Sequence, residues 1–445
     1  MLALLLLAGC SDGSGDRTPD VDGESTLKGR STFPIGNVVY LDDDARFTEY
    51  RSDQPRVAEI MREEVDYVGH DEVFRIRETH PGPSSTRYER LDAFVDDAEA
   101  RGYRLHGHNL LFYADIGADH WIARYRRDGT WSREQWLAWF EQYVRGKVGR
   151  YKGRVASWDV LNEPLPKVLA DDPQARNIFV DLAGPEIYAK VFRWAREADP
   201  DAKLVLNEYL LGPNGSAQVD DLIALADEIG RNGGKVDVIG FEGIYMFSPM
   251  LYTSYSYNYE CFRKAADAGY MVAIQELNVA LNTLPAAGRF QSQTRLLHSI
   301  QRKAFNDIVN AYMDAVPEQQ RWGIATWGVP DYAGFTRFGE IFKLLRASGG
   351  GSEWPLLWSD MLDRKPAYYG FASALKGVRE PFRYRDVDAE EPLRSDEPLS
   401  QNFKADLLAQ LEEERIAASR IPGASATAQT YYDEVRREIE GSPEN

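Results

Sequence analysis

Val155-Ala156-Ser157-Trp158-Asp159-Val160-Leu161-Asn162-Glu163-Pro164 is an apolar, strand-like run that ends on a carboxyl, and Met271-Val272-Ala273-Ile274-Gln275-Glu276-Leu277 is a second. Near-continuous apolar runs suit strands buried on both faces, as in a parallel sheet covered by helices. Glu163 and Glu276 lie 113 residues apart, which leaves room for about two or three strand–helix units between them. A barrel of parallel strands brings its strand C-terminal ends to one mouth, where the chemistry of such folds gathers. Two carboxyls facing one another there are the minimal machinery for breaking a glycosidic bond.

Working outward, strand-like runs fall at Ile35–Val39, Val73–Ile76, Tyr103–Phe112, Val155–Leu161, Lys203–Tyr209, Val236–Gly243, Met271–Val279 and Trp322–Val329. Amphipathic helical stretches alternate with them, among them Tyr88–Arg101, Arg133–Tyr151, Ile187–Ala198, Asp220–Asn232 and Gln293–Ala315. The alternation predicts an α/β chain folded as a (β/α)8 TIM barrel over residues 31–379. An open doubly wound sheet would alternate too, but no Gly-x-Gly-x-x-Gly follows a strand. Polar residues collect at the predicted strand ends: His108 and Asn109, Asn162 and Glu163, Asn207 and Glu208, Glu242, Glu276 and Asn278, then Trp327 and Asp331.

The chain has 445 residues, 43% of them apolar, enough for one large core. Its net charge of −18 argues against nucleic acid or an anionic membrane surface as partner and suits a neutral polymer. The aromatic fraction of 12% supplies faces on which sugar rings stack, beside ordinary packing. Two cysteines, Cys10 and Cys261, and six histidines show no metal-ligand spacing, so neither metal nor cofactor is expected.

Met1 to Ala8 is almost pure Leu and Ala, too short to span a bilayer and suited to the apolar region of a signal peptide over residues 1–9. Leu7-Ala8-Gly9-Cys10 resembles the bacterial lipobox, which implies lipidation of Cys10 and leaves Cys261 without a disulfide partner. The resemblance departs in one respect: no Lys or Arg precedes the apolar run, as a start placed too late would explain. Residues 10–30, rich in Gly, Ser and Asp, read as a tether. Ser11, where inner-membrane lipoproteins carry Asp, implies a place in the cell envelope at the outer membrane or cell surface. From residue 380 to 445 there are 16 acidic and 8 basic side chains, with Phe403, Leu407, Leu408 and Leu411 on one helical face after Ser400 as cap. This segment reads as an acidic helical extension packed or trailing along a monomeric barrel.

At the strand ends the chain resembles glycoside hydrolase family 10, the endo-β-1,4-xylanases. Tyr151-Lys152-Gly153-Arg154 leading into Trp158-Asp159-Val160-Leu161-Asn162-Glu163 is similar to the family's fourth strand, which implies Glu163 as acid/base. Gln275-Glu276-Leu277-Asn278 is similar to its seventh, there usually Thr-Glu-Leu-Asp, which implies Glu276 as nucleophile. His106-Gly107-His108 aligns with Arg-Gly-His and implies that His108 holds a sugar hydroxyl. Asn207-Glu208-Tyr209 resembles Asn-Asp-Tyr, Trp327-Gly328-Val329 resembles the Trp-Gly-Val whose Trp packs on the sugar, and Lys365-Pro366-Ala367-Tyr368 resembles the closing Lys-Pro-Ala-Tyr.

The departures concentrate where sugar is bound. Phe74-Arg75-Ile76-Arg77-Glu78-Thr79 stands where the family's second strand presents Glu, Asn and Lys. Phe112 and Tyr113 replace a Trp and a His, and Glu242-Gly243-Ile244 replaces Gln-Gly-His. Asn162, Asn207, Tyr245 and Arg77 complete the expected sugar contacts. Three arrangements are open to Glu242: protonated and donating to Glu276, paired with a cation such as Arg77, or turned away from the site. The resemblance implies retaining hydrolysis of β-1,4-linked xylan or its oligosaccharides, with carboxyls about 5–5.5 Å apart. Another β-linked glycan, or a surface lipoprotein that binds glycan without cutting it, are the competing readings.

Overall fold

The computed structural model describes residues 26–39, 55–165, 178–210, 215–245, 250–281, 294–331, 354–383, 402–420 and 425–442. Ten strands lie among them: β1 Ile35–Val39, β2 Tyr67–His70, β3 Arg104–Gly107, β4 Leu111–Phe112, β5 Val155–Asn162, β6 Lys203–Glu208, β7 Val238–Phe241, β8 Ile244–Tyr245, β9 Met271–Val279 and β10 Arg321–Trp327. Eight of them run in parallel in the order β10-β1-β2-β3-β5-β6-β7-β9, and β9 pairs with β10, closing the barrel. The short β4 and β8 continue β3 and β7 and pair with β5 and β9. All nine residues of β9 except Met271 are buried, as expected of a strand covered on both faces.

Two predicted strands differ from the structure. The second is Tyr67–His70, and Val73–Ile76 lies after it, leading into the short helix Ile76–Thr79. Val73, Phe74 and Ile76 are fully buried, so they carry the apolar content of a strand without its hydrogen bonds. The third is interrupted: Tyr103–Phe112 becomes β3 and β4, with His108 and Asn109 between them joined by a cis peptide. There Leu110 N–H donates to the Asp159 carbonyl at 2.8 Å and restores pairing with β5. Gly107 is required here, because a Cβ would overlap the Trp158 ring.

The covering helices include Glu89–Ala100, Arg133–Arg150, Ile187–Ala198, Gly215–Arg231, Tyr255–Asp267 and Arg295–Ala315. Arg133–Arg150 starts with a capping box between Ser132 and Gln135, which satisfies otherwise orphaned N–H groups. None of the described helices is long and apolar enough to cross a membrane.

The acidic extension forms a hairpin of two helices, Phe403–Ser419 and Ser425–Gly441, packed on each other and on Arg295–Ala315. Leu407 and Leu411 are buried as the helical face predicts, each contributing about 1.5–3 kcal/mol. The cap is Asn402, whose side chain accepts from Ala405 N–H; Ser400 lies outside the described residues, as do Cys10 and residues 1–25.

Candidate active site

Glu163 directly follows β5 with φ of 51°, a left-handed conformation rare for a side chain of this kind. Strain of this sort persists only where neighbours over-determine it. Here Glu163 N–H donates to the Asn207 carbonyl at 2.9 Å, and two residues on, Leu165 N–H donates to the Glu208 carboxylate at 2.9 Å. Asn207 and Glu208, at the end of β6, thus hold the turn that presents Glu163.

The Asn207 amide nitrogen also donates to Asn162 Oδ1 at 2.8 Å and to Glu276 Oε1 at 3.1 Å. It reaches Glu276 across β7, where Gly240 leaves room: a Cβ at Gly240 would meet Asn207 Oδ1 at 2.5 Å. Glycine at this strand position therefore serves a close approach. Burial pushes the Glu276 carboxyl well above its usual range, and the charges of Asp159 and Glu163 push the same way. Arg75 and the Asn207 hydrogen bond pull it back.

Beneath Glu276 lies a polar floor that the sequence did not reveal. Asp159, in the middle of β5, accepts from His106 Nε2 and His108 Nδ1, both at 2.8 Å. His106 Nδ1 meets Ser157 Oγ at 2.8 Å, and the Gln275 amide lies 3.3 Å from His106 and 3.4 Å from Asp159. Burial works to raise the Asp159 carboxyl, but the two imidazoles outweigh it and hold the group at about 2. Burial lowers His108 in spite of Asp159, so its ring is a neutral donor and acceptor. His108 stands 3.9 Å from Glu276 and packs edge-on against Trp327 at 5.4 Å.

His106, His108 and Asp159 are also the one group among the described residues whose ligand atoms, within 4.8 Å of one another, could hold a metal ion. Both nitrogens of His106 are already engaged, with Ser157 Oγ and with the Asp159 carboxylate, each at 2.8 Å. The donor set fits a hydrogen-bonded relay better than a metal centre.

The cation acting on Glu276 is Arg75. It is 3.1 Å from Asp115, donates to the Asp71 carbonyl and lies over the Phe112 ring at 5.5 Å. Arg77 instead pairs with Glu72 at 3.6 Å, its side chain 39% exposed; of the three arrangements open to Glu242, the pair with Arg77 is not formed. Phe112 and Tyr113 pack edge-to-face at 5.3 Å. Glu242 is buried at the end of β7, its carbonyl accepting from Glu276 N–H at 2.7 Å. Tyr245 follows in β8, its hydroxyl bonded to Asn258.

Lys147 joins two site segments from below. Its buried ammonium donates to the carbonyls of Phe74 and Asn109, the latter at 3.2 Å, next to Arg75 and His108. Burial lowers Lys147 to about 7. Asp331 is turned to structure: it accepts from Lys365 at 3.0 Å and from Leu356 N–H at 2.9 Å. The Lys365–Tyr368 motif therefore locks the last loop, with the Tyr368 hydroxyl 3.0 Å from Glu64.

The family model described as glycosyl hydrolase family 10 matches residues 41–374. The chain belongs to glycosyl hydrolase family 10. It is 28% identical over 365 residues to the endo-beta-1,4-xylanase Xyn10C of Cellvibrio japonicus, covering 78% of this chain and 57% of that one. It is 25% identical over 379 residues to endo-1,4-beta-xylanase B of Thermotoga neapolitana, covering 84% and 96%. The native Cellvibrio japonicus xylanase10C structure superposes with a TM-score of 0.69 at 27% identity, covering 79% of this chain and 73% of that one. A mutant of that enzyme has been solved with xylopentaose. The chain thus spans little more than half the length of the first of these curated relatives.

Within this family, the end of the second strand is different from the sequence-based expectation. Asp71 and Glu72 follow β2, and Arg75 comes a turn later.

Proposed function

We propose that this protein is a retaining glycoside hydrolase that cuts β-1,4-linked xylan or xylan-derived oligosaccharides. The observation that carries the reading is the Asn207 bridge, which ties the Asn162-Glu163 strand end to the Glu276 carboxylate. Glu163 gives its proton to the leaving oxygen as Glu276 attacks the anomeric carbon; the glycosidic bond breaks and a glycosyl-enzyme ester forms. With Glu276 neutralised, Glu163 takes a proton from water, whose oxygen attacks the same carbon and releases Glu276.

Retaining hydrolysis needs one protonated and one ionised carboxyl. Glu276 must be the ionised member when substrate is bound. Arg75 and Asn207 favour that state. Asn162 Oδ1 is occupied by Asn207, which leaves the Asn162 amide hydrogens for the sugar 2-hydroxyl, a contact that strengthens in the transition state. His108, fixed by Asp159, is placed to bind the same sugar, with Trp327 behind it.

The names of the relatives support xylan. Glu72 and the Glu242-Gly243-Ile244 segment favour a second reading within the same chemistry, another β-linked glycan or a decorated one. Product sizing on a panel of β-glycans separates the two. Xylo-oligosaccharides from xylan support the first, products from another polymer the second, and binding without cleavage would sink both.

We further propose that Cys10 is lipidated and anchors the protein at the cell envelope, supported by Leu7-Ala8-Gly9-Cys10; several acyl chains there would hold firmly where a single one binds weakly. Radiolabelled palmitate incorporated by the full chain and lost in Cys10→Ser is the expected result; equal labelling would refute it.

A further inference from the structure

Glu414, in the C-terminal helix Phe403–Ser419, is fully buried, yet no cation pairs with its carboxyl among the described residues. It accepts from Met250 N–H at 2.9 Å and from Leu251 N–H, and Gln410 lies 3.4 Å away. Met250 to Ser254 is a buried segment between β8 and the helix Tyr255–Asp267. Buried N–H groups outside a ladder need acceptors, and the two oxygens of Glu414 supply them although burial pushes its carboxyl up to about 8.

The same segment is held from its other side by Asn258, whose amide donates to the Tyr252 and Ser254 carbonyls at 3.2 and 3.0 Å. Asn258 Oδ1 in turn accepts from the Tyr245 hydroxyl. Tyr245 pairs with Val279 and Ile244 with Asn278, so this tyrosine stands beside the strand that carries Glu276. The second helix of the hairpin grips the start of the next barrel helix. Tyr431 packs edge-on to Tyr257 at 5.3 Å and donates to Glu260 at 3.1 Å, and Ser256 donates to Glu434 at 2.5 Å.

We propose that the C-terminal hairpin is part of the glycan-binding apparatus, with Glu414 as a positioning residue that fixes Met250–Ser254 and, through Asn258, Tyr245 beside the strand that carries Glu276. The inference rests on the hydrolase reading of the site. Burying a carboxyl is costly unless its hydrogen bonds are made, and here they are made to the Met250 and Leu251 backbone rather than to the barrel helices. The chain of contacts from Glu414 to Tyr245 gives that carboxylate a local task.

The test uses the full chain with Glu414→Gln and Glu414→Ala, read by peptide-resolved hydrogen exchange and by kcat and KM on xylohexaose. Gln keeps one acceptor where two N–H groups ask for it, so it should fall between the wild type and Ala. Exchange of the Met250–Tyr252 peptide should speed up by about tenfold or more in Glu414→Ala. KM should rise by about threefold or more with kcat within about twofold, the signature of lost uniform binding. Exchange that is unchanged, or faster across the whole chain alike, would overturn the proposal, as would an unchanged KM alongside faster local exchange. No cleavage of xylohexaose by the unmodified protein would refute the xylan reading instead, and the exchange pattern would still decide whether Glu414 holds the segment.

Discussion

The Asn207 amide on β6 lies 3.1 Å from the Glu276 carboxylate on β9, reaching across the whole width of β7. The contact exists because Gly240, on the strand between, has no side chain to block it. A hydrogen bond to a charged group is worth about 1.5–3 kcal/mol. Asn207→Ala is therefore expected to lower kcat/KM by about 10- to 100-fold, and Gly240→Ala to follow it by displacing the amide. Steady-state kinetics check this; wild-type activity in Asn207→Ala would contradict the bridge.

Glu276 makes the site a source of instability. Its carboxyl is raised by burial and by two neighbouring charges, so the folded state holds the proton more tightly than the unfolded chain. Stability is therefore lost as pH rises above the unfolded carboxyl value, about 4.3. Glu276→Gln should abolish hydrolysis and raise the melting temperature at pH 7, with the gain shrinking toward pH 4. A lower melting temperature at pH 7 would count against a strained carboxylate.

Asp159 carries the opposite sign. Held at about 2 by His106 and His108, it stabilises the fold above the unfolded value of about 3.9, and that contribution, about 2 kcal/mol, is lost as pH falls through 2. Its charge also raises Glu276. Asp159→Asn should accordingly shift the acid limb of the kcat/KM profile to lower pH while costing stability at neutral pH. An acid limb that stays in place would show that Asp159 does not act on the nucleophile.

The two arginines after β2 allow a paired test. Arg75 is buried against Asp115 and acts on Glu276, whereas Arg77 pairs with Glu72 at the surface. Arg75→Met should move the acid limb upward and lower kcat/KM by about tenfold or more; Arg77→Ala should stay within about twofold, as exposed pairs contribute little. The reverse ranking would favour Arg77 as the site's cation.

The barrel was legible because seven of its strands are apolar runs bounded by helical patterns, β5 and β9 most plainly. β2 was not, because Tyr67-Val68-Gly69-His70 is short and includes Gly and His, while the apolar Val73, Phe74 and Ile76 beside it pack without pairing. The break at His108-Asn109 was hidden by the apolar Leu110-Leu111-Phe112 that follows. In the site, the carboxyls and Asn207 stand at strand ends and could be read directly. His106, Asp159, Gln275, Arg75 and Lys147 act through partners on other strands or helices, and one-dimensional spacing does not report such contacts. A charged Asp159 inside an otherwise apolar strand was the signal available, since a buried carboxylate requires partners.

The central claim is that Glu276 becomes covalently bonded to the sugar. Treating the full chain with a 2-deoxy-2-fluoro xylobioside carrying a good leaving group, then mapping peptides by mass spectrometry, tests it most directly. One fluoroxylobiosyl adduct is expected, on Glu276, with loss of activity in step with labelling. An adduct on another residue, or hydrolytic activity that survives without any adduct, would contradict it.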